Sequence, residues 1–100
     1  PLALDYDITD DAQVGAAFSA HHRALGGLDV LVNNAGVMQD ALLGMAGREQ
    51  IERTFAVNVF ATLHHMQYAA RLMKRKGAGS IVNIASIIGT HGNAGQAVYG

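Results

Sequence analysis

Leu28-Asp29-Val30-Leu31-Val32 runs directly into Asn33-Asn34-Ala35-Gly36. The first five residues are short and largely apolar, and polar or flexible residues bound them on both sides, which predicts a β-strand. Two amides followed by alanine and glycine turn a chain sharply and let a flat ligand come close to the backbone. Alone, the tetrapeptide reads equally well as an ordinary turn. Its neighbours make it more specific. Upstream, Gly26-Gly27 closes a helix that carries Val14, Ala17, Phe18 and Ala24-Leu25 near one face, with Thr9 or Asp10 as its N-cap. Before that helix, Leu2 to Tyr6 reads as another strand, followed by turn residues Asp7 to Asp10.

Downstream, a loop over Val37 to Gly47 leads into a helical stretch from about Arg48 to Lys76. Ile51, Phe55, Val59, Leu63 and Met66 recur at three- and four-residue steps and mark one helical face. The length without an internal Gly or Pro predicts two abutting helices or one bent helix. Gly77-Ala78-Gly79 ends it, and Ser80 to Ala85 is a third strand, apolar nearly throughout as expected of a parallel strand covered on both faces. A glycine-containing loop then leads to a helix expected to begin near Gln96. Strands alternating with helices predict βαβ units and a parallel sheet, an α/β fold. Ligands of such sheets bind beyond the carboxyl ends of the strands, here Asp7-Ile8, Asn33 to Gly36, and Ser86.

The composition narrows the function. Half the residues are apolar and 15% are charged, so the chain is suited to a packed core and not to a disordered tail. With a formal net charge of -1 and no basic run beyond Lys74-Arg75-Lys76, no nucleic-acid partner is expected. No apolar stretch approaches the roughly 18–20 residues of a membrane helix, so no membrane partner is expected either. Pro1 is not followed by a charged and then an apolar segment in the manner of a signal peptide. The absence of cysteine excludes disulfides and thiolate metal sites and is compatible with a cytoplasmic location. His21-His22 and His64-His65 are adjacent pairs without the four-residue spacing of a helical chelate, so the expectation is no metal and ordinary surface or interface histidines.

Three residues carry chemistry. Reduction of a carbonyl needs a proton donor and a group that holds its oxygen. Tyr99, expected in the first turns of a helix, offers a phenol; Ser86, at a strand end, offers a hydroxyl. A phenol with its ordinary pKa near about 10 needs a neighbouring cation. A lysine one helical turn on would stand at position 103, past Gly100. Asn58 sits mid-helix between Val57 and Val59, where asparagine is unfavourable unless it has a specific partner. Taken singly, Ser86 reads as a helix cap, Tyr99 as an amphipathic surface residue and Asn58 as a solvent-facing amide.

Taken together, Asn33-Asn34-Ala35-Gly36, the Val-Asn-Val context of Asn58, Ile81-Val82-Asn83-Ile84-Ala85-Ser86 and Tyr99 resemble the short-chain dehydrogenases/reductases in order and spacing. Within that family, the segment from Ile87 to Tyr99 and the loop Asp40-Ala41-Leu42-Leu43 are most similar to the 3-oxoacyl-[acyl-carrier-protein] reductases.

The resemblance implies a Rossmann-type, doubly wound, three-layer α/β/α domain, of which residues 1–100 form the central portion. It implies an NAD(P)-dependent oxidoreductase acting on a carbonyl or secondary alcohol, a 3-oxoacyl thioester being the expected substrate class, and NADP favoured over NAD. By resemblance, Tyr99 is the catalytic acid, Ser86 holds the reacting oxygen, and Asn58 disturbs its helix so that a backbone carbonyl binds a relay water. Asp7 accepts from the adenine amino group and Ile8 packs beside the ring. Asn34, Ala35 and Gly36 line the adenine-ribose side, and Tyr99 also meets the cofactor. The family's glycine-rich phosphate loop and the residue that reads the ribose 2′ position lie upstream of Pro1, and both ends read as cuts. In the family's strand order the Leu2 strand has no direct partner among the strands present. His64, Met66 and Tyr68 fall on the helix that forms the family's subunit contact, implying a homodimer or homotetramer. The alternatives are another alcohol, sugar or steroid dehydrogenase of the family, or a non-catalytic chain that keeps only an oligomerisation surface or part of a nucleotide pocket.

Overall fold

The computed structural model describes residues 1–100. Helix α1 (Asp11–Leu25) leads to strand β1 (Val30–Asn33), α2 (Arg48–Phe55), a π-helical turn (Ala56–Phe60), α3 (Ala61–Lys76), strand β2 (Ser80–Asn83) and a short α4 (Ile88–His91). The two strands pair in parallel, with Val30 opposite Ser80 and Asn33 opposite Asn83. A parallel pair needs a crossover, and α2–α3 supplies it. α3 packs against both α1 and β1.

The ends of α1 follow from its sequence. Asp10, not Thr9, is the N-cap: its carboxylate accepts from the Ala12 and Gln13 backbone N–H groups. Gly26 ends the helix at φ 80°, a left-handed conformation in which glycine escapes the Cβ penalty, and its N–H donates to the His22 carbonyl.

The long helical stretch is one continuous rod interrupted by the π-turn around Asn58. Its buried stripe is Thr54, Val57, Ala61, His65, Ala69 and Met73. The apolar face marked by Ile51, Phe55, Val59 and Leu63 is instead exposed. Ala61 and Ala69 make this stripe narrow at its centre, while Phe55, Phe60 and Leu63 point away from it. His65, expected at the surface or an interface, is buried within that stripe. Its Nδ1 lies 2.7 Å from the Ala61 carbonyl and its Nε2 lies 2.9 Å from the Tyr6 hydroxyl. A carbonyl only accepts, so Nδ1 carries a hydrogen, and Nε2 shares the second hydrogen bond with the Tyr6 hydroxyl. Burial raises the Tyr6 phenol above its ordinary pKa.

Three expectations about elements are corrected. Leu2 to Tyr6 is not a strand; no neighbouring strand is there to form a ladder with it, as the family's strand order implies. The sheet is covered on one face only: Leu31 and Ile81 are half-buried, whereas Val30 and Val32 on the other face are 54% and 55% exposed. No helix begins near Gln96; residues 97–99 form a turn, and the short helix α4 precedes them. No helix is long and apolar enough to cross a membrane.

Candidate active site

The carboxyl ends of β1 and β2 meet side by side, and their last residues are joined by side chains as well as backbone. Asn33 Nδ2 donates to Asn83 Oδ1 at 2.8 Å, and Asn83 Nδ2 points to Met66 Sδ at 3.4 Å. Beyond this pair the chain of β1 turns through Asn34, Ala35 and Gly36. Asn58 fixes the exit of that turn: the Val37 N–H donates to Asn58 Oδ1 at 2.9 Å, and Asn58 Nδ2 donates to the Val37 carbonyl at 2.8 Å. One amide thereby satisfies both backbone groups of a loop residue, the specific partner that a mid-helix asparagine requires.

The π-turn places this amide. Within it the Ala61 N–H reaches back to the Ala56 carbonyl, one residue farther than an α-helix would. The Asn58 carbonyl accepts from Thr62 Oγ1 at 3.1 Å. Such widened turns accumulate at functional sites because they re-aim a side chain without ending the helix.

The loop after β2 is tied back over the loop after β1. Ala41 and Gln96 form a parallel bridge, with the Ala41 N–H donating to the Gly95 carbonyl at 2.8 Å. Gly95 takes φ 80°, which favours a residue without Cβ. Buried Gln96 accepts from Asn93 Nδ2 at 2.9 Å and points its own Nε2 at Met38 Sδ at 2.9 Å. This strap carries Tyr99 to the mouth of β1. Gln96 and Met38 are the residues that sequence reading missed as site builders; the Gly95-Gln96 pair was the available signal.

A cavity of about 540 Å³ results, lined by Asn34, Ala35, Gly36, Asn58, Ser86 and Tyr99 among others. Ser86 Oγ accepts from the Ile88 N–H at 3.2 Å in the turn that precedes α4, and it lines the cavity. A hydroxyl that accepts from the backbone still has its hydrogen to donate. An adjoining hollow of about 160 Å³ brings Ile8 together with Asn34 and Ala35. Asp7 lines neither cavity. Its Oδ1 accepts from the Thr9 hydroxyl at 2.7 Å and the Thr9 N–H at 2.9 Å. The hydroxyl bond first, then the backbone bond, holds its carboxyl below the usual carboxylate pKa. The structure thus brings together Asn34, Ala35, Gly36, Asn58, Ser86 and Tyr99, joins Ile8 through the neighbouring hollow, and leaves Asp7 on the rim of the strand ends.

The donor set fits a nucleotide cofactor. Ile8 supplies an apolar side, Asn34 to Gly36 an exposed backbone turn, and the two hollows adjoin through Asn33, Asn34, Ala35 and Thr62, as an elongated ligand requires. The sequence profile of the short chain dehydrogenase family matches residues 2–100. Carbonyl reductase family member 4 of Xenopus tropicalis is 39% identical over 99% of this chain and 42% of its own length. The 3-oxoacyl-[acyl-carrier-protein] reductase FabG of Vibrio cholerae is 36% identical over 93% of this chain and 38% of its own. The human 3-oxoacyl-[acyl-carrier-protein] reductase is 35% identical over 98% and 41%. The chain spans about two fifths of these relatives. A parallel sheet with ligand-sized hollows at its strand ends, and a profile match over nearly every residue, establish that the chain belongs to the short chain dehydrogenase family.

Proposed function

We propose that the protein is a nicotinamide-dependent oxidoreductase that reduces a carbonyl to a secondary alcohol, with Tyr99 as proton donor. One observation carries the reading: Asn58, Ser86 and Tyr99, distant in sequence, line the same cavity as the turn Asn34–Gly36. The cofactor, when bound, supplies the hydride. Asn34, Ala35, Gly36 and Ile8 would hold it, with Asp7 at the adenine end and Tyr99 at the reacting end.

The chain's own residues then account for the proton and the charge. The Tyr99 hydroxyl gives its proton to the substrate oxygen as the carbonyl carbon is reduced, and takes it back in the oxidative direction. Ser86 Oγ–H donates to the same oxygen and stabilises the developing alkoxide; the Ile88 N–H fixes Oγ from behind. Asn58 holds Val37 and with it the turn that walls the cavity, and its carbonyl on the π-turn is the group proposed to bind a relay water.

The substrate proposed is a 3-oxoacyl thioester, supported by the two relatives that carry that activity in their names and by the segment from Ile87 to Tyr99. A simpler ketone is the second reading, favoured by the carbonyl reductase relative. NADP is proposed over NAD by the same resemblance. A homodimer or homotetramer in the cytoplasm accompanies the proposal, supported by the exposed apolar face of Phe55, Val59, Phe60 and Leu63. His64, Met66 and Tyr68 also make contacts within the chain while staying half-exposed: His64 lies 3.9 Å from Asp11, Met66 meets Asn83, and Tyr68 stacks on Phe18.

The test is oxidation of NADPH and of NADH by the full-length protein with an acetoacetyl thioester. Tyr99→Phe is expected to lower kcat by about 10²–10⁴-fold, the usual contribution of a positioned acid. A folded protein that turns over neither the thioester nor a panel of ketones would overturn the reading.

A further inference from the structure

A third hollow, of about 340 Å³, lies between α1 and α3 and shares no residue with the two hollows of the candidate active site. It occupies the later turns of both helices, which lead into the amino ends of β1 and β2, whereas the candidate site lies at the carboxyl ends. Its floor is aromatic. Tyr68 stacks on Phe18 with ring centroids 5.3 Å apart. A methyl group at Gly15 would stand 2.8 Å from the Tyr68 hydroxyl, so the phenol lies directly over this glycine of α1.

The walls are basic. Arg71 stands over the Tyr68 ring, its guanidinium carbon 5.4 Å from the centroid, which holds the group in place. Arg75 follows one turn later, and Arg23 faces them from the last turn of α1. No carboxylate lines the hollow. The chain's ion pairs Arg48–Glu52 and Lys76–Asp29, and the His64–Asp11 contact at 3.9 Å, involve none of these three arginines. Cations in a last turn offset the helix dipole, which accounts for Arg23 and Arg75. It does not account for Arg71, which lies before the last turn, nor for three unpaired guanidiniums in one hollow of a chain whose net charge is -1.

The geometry points to a binding site here for a compact, multivalent anion of the phosphate class, gripped by Arg23, Arg71 and Arg75 against the Tyr68–Phe18 floor. The planar guanidinium fork matches phosphate oxygens, and charge-assisted bonds of this kind are the strong ones. The hollow is concave but open to solvent, and Arg23, Arg71 and Arg75 are exposed along it, so a small ligand reaches all three without moving the helices. A free polyphosphate and a phosphate ester on a larger molecule share that chemistry.

Calorimetric titration of the full-length protein with inorganic pyrophosphate, and separately with glycerol 3-phosphate, tests the site. A binding component is expected that persists in Tyr99→Phe and in Arg48→Gln, an arginine outside the hollow. It should weaken at least about tenfold in Arg71→Gln/Arg75→Gln, as loss of two charge-assisted contacts requires. Arg23→Gln, on the other helix, should weaken it too, which guards against a fold defect confined to α3. Tighter binding of pyrophosphate assigns the site to free polyphosphates; tighter binding of the ester assigns it to a phosphorylated molecule. Isotherms that do not change in the double variant, or no binding by the wild-type protein, would overturn the site.

Discussion

The amide of Asn58 meets both backbone groups of Val37, a pairing that no other side-chain chemistry of its size reproduces. Asn58→Leu removes both bonds and leaves two part-buried backbone groups without partners. The expected cost is about 1–3 kcal/mol on unfolding by urea, together with loss of turnover. Asn58→Asp keeps the acceptor alone and should fall between leucine and wild type; a urea midpoint unmoved by leucine would mean that Val37 is not pinned by this residue. Asp7 makes a second residue-scale case. Its lowered pKa rests mainly on the Thr9 hydroxyl. A carboxyl whose folded pKa is depressed stabilises the fold above its ordinary unfolded value near about 4 and loses that contribution as pH falls through the lower folded value. Thr9→Val should therefore move the Asp7 titration, followed by carboxyl carbon NMR of the full-length protein, up toward the ordinary value. An unchanged titration would assign the shift to the backbone bond.

At the level of elements, α1 offers a direct comparison, since the sequence left Thr9 and Asp10 as equal candidates for its cap. Asp10 accepts from two N–H groups at the helix start and Thr9 from none. Asp10→Ala should cost about 1 kcal/mol in urea unfolding, while Thr9→Ala leaves the helix end intact; equal effects would contradict the assignment. The same contrast explains what was legible in the sequence. The Asn33–Gly36 turn, Asn58 and Ser86 were legible because each breaks a local rule, polar residues at strand ends or an amide in mid-helix; Tyr99 breaks none and was legible only through its spacing from the other family motifs. The direction of the long helix was not. Periodicity finds a stripe of large apolar residues from Ile51 to Leu63 but does not say whether that stripe or the smaller one through Ala61 and Ala69 meets the sheet. The stripe through Ala61 and Ala69 is the buried one, and it places His65 where a histidine needs Ala61 and Tyr6 as partners. The strap through Gln96 was equally hidden, because it pairs loops that are far apart in sequence.

For the whole molecule, the quantity that matters is how little of it is buried. Only nine of the 100 residues are buried, and the radius of gyration is 15.7 Å, against about 13 Å for a compact domain of this length. Val30 and Val32 on β1 and Val82 on β2 stand uncovered, as do Phe55, Phe60 and Leu63 on the outer side of the helices. Leu2 to Tyr6 stays close through Tyr6 and His65 yet pairs with no strand. A two-stranded sheet is at best marginal without further strands or cover on both faces, and ordering each residue costs about 1–2 kcal/mol of conformational entropy. The burial present does not offset that cost. A polypeptide of residues 1–100 made alone should therefore unfold in urea over a broad, non-cooperative range, bind a dye for exposed apolar surface, and show poorly dispersed amide resonances, while the full-length protein unfolds in a sharp transition. Sharp, well-dispersed resonances from the isolated 100 residues would show instead that α1, α3 and two strands suffice as a folding unit. The uncovered valines would then be sites where a single Val32→Lys substitution costs little. In the full-length protein the same substitution is expected to be destabilising by several kcal/mol, because a second layer must cover that face for a parallel sheet to persist.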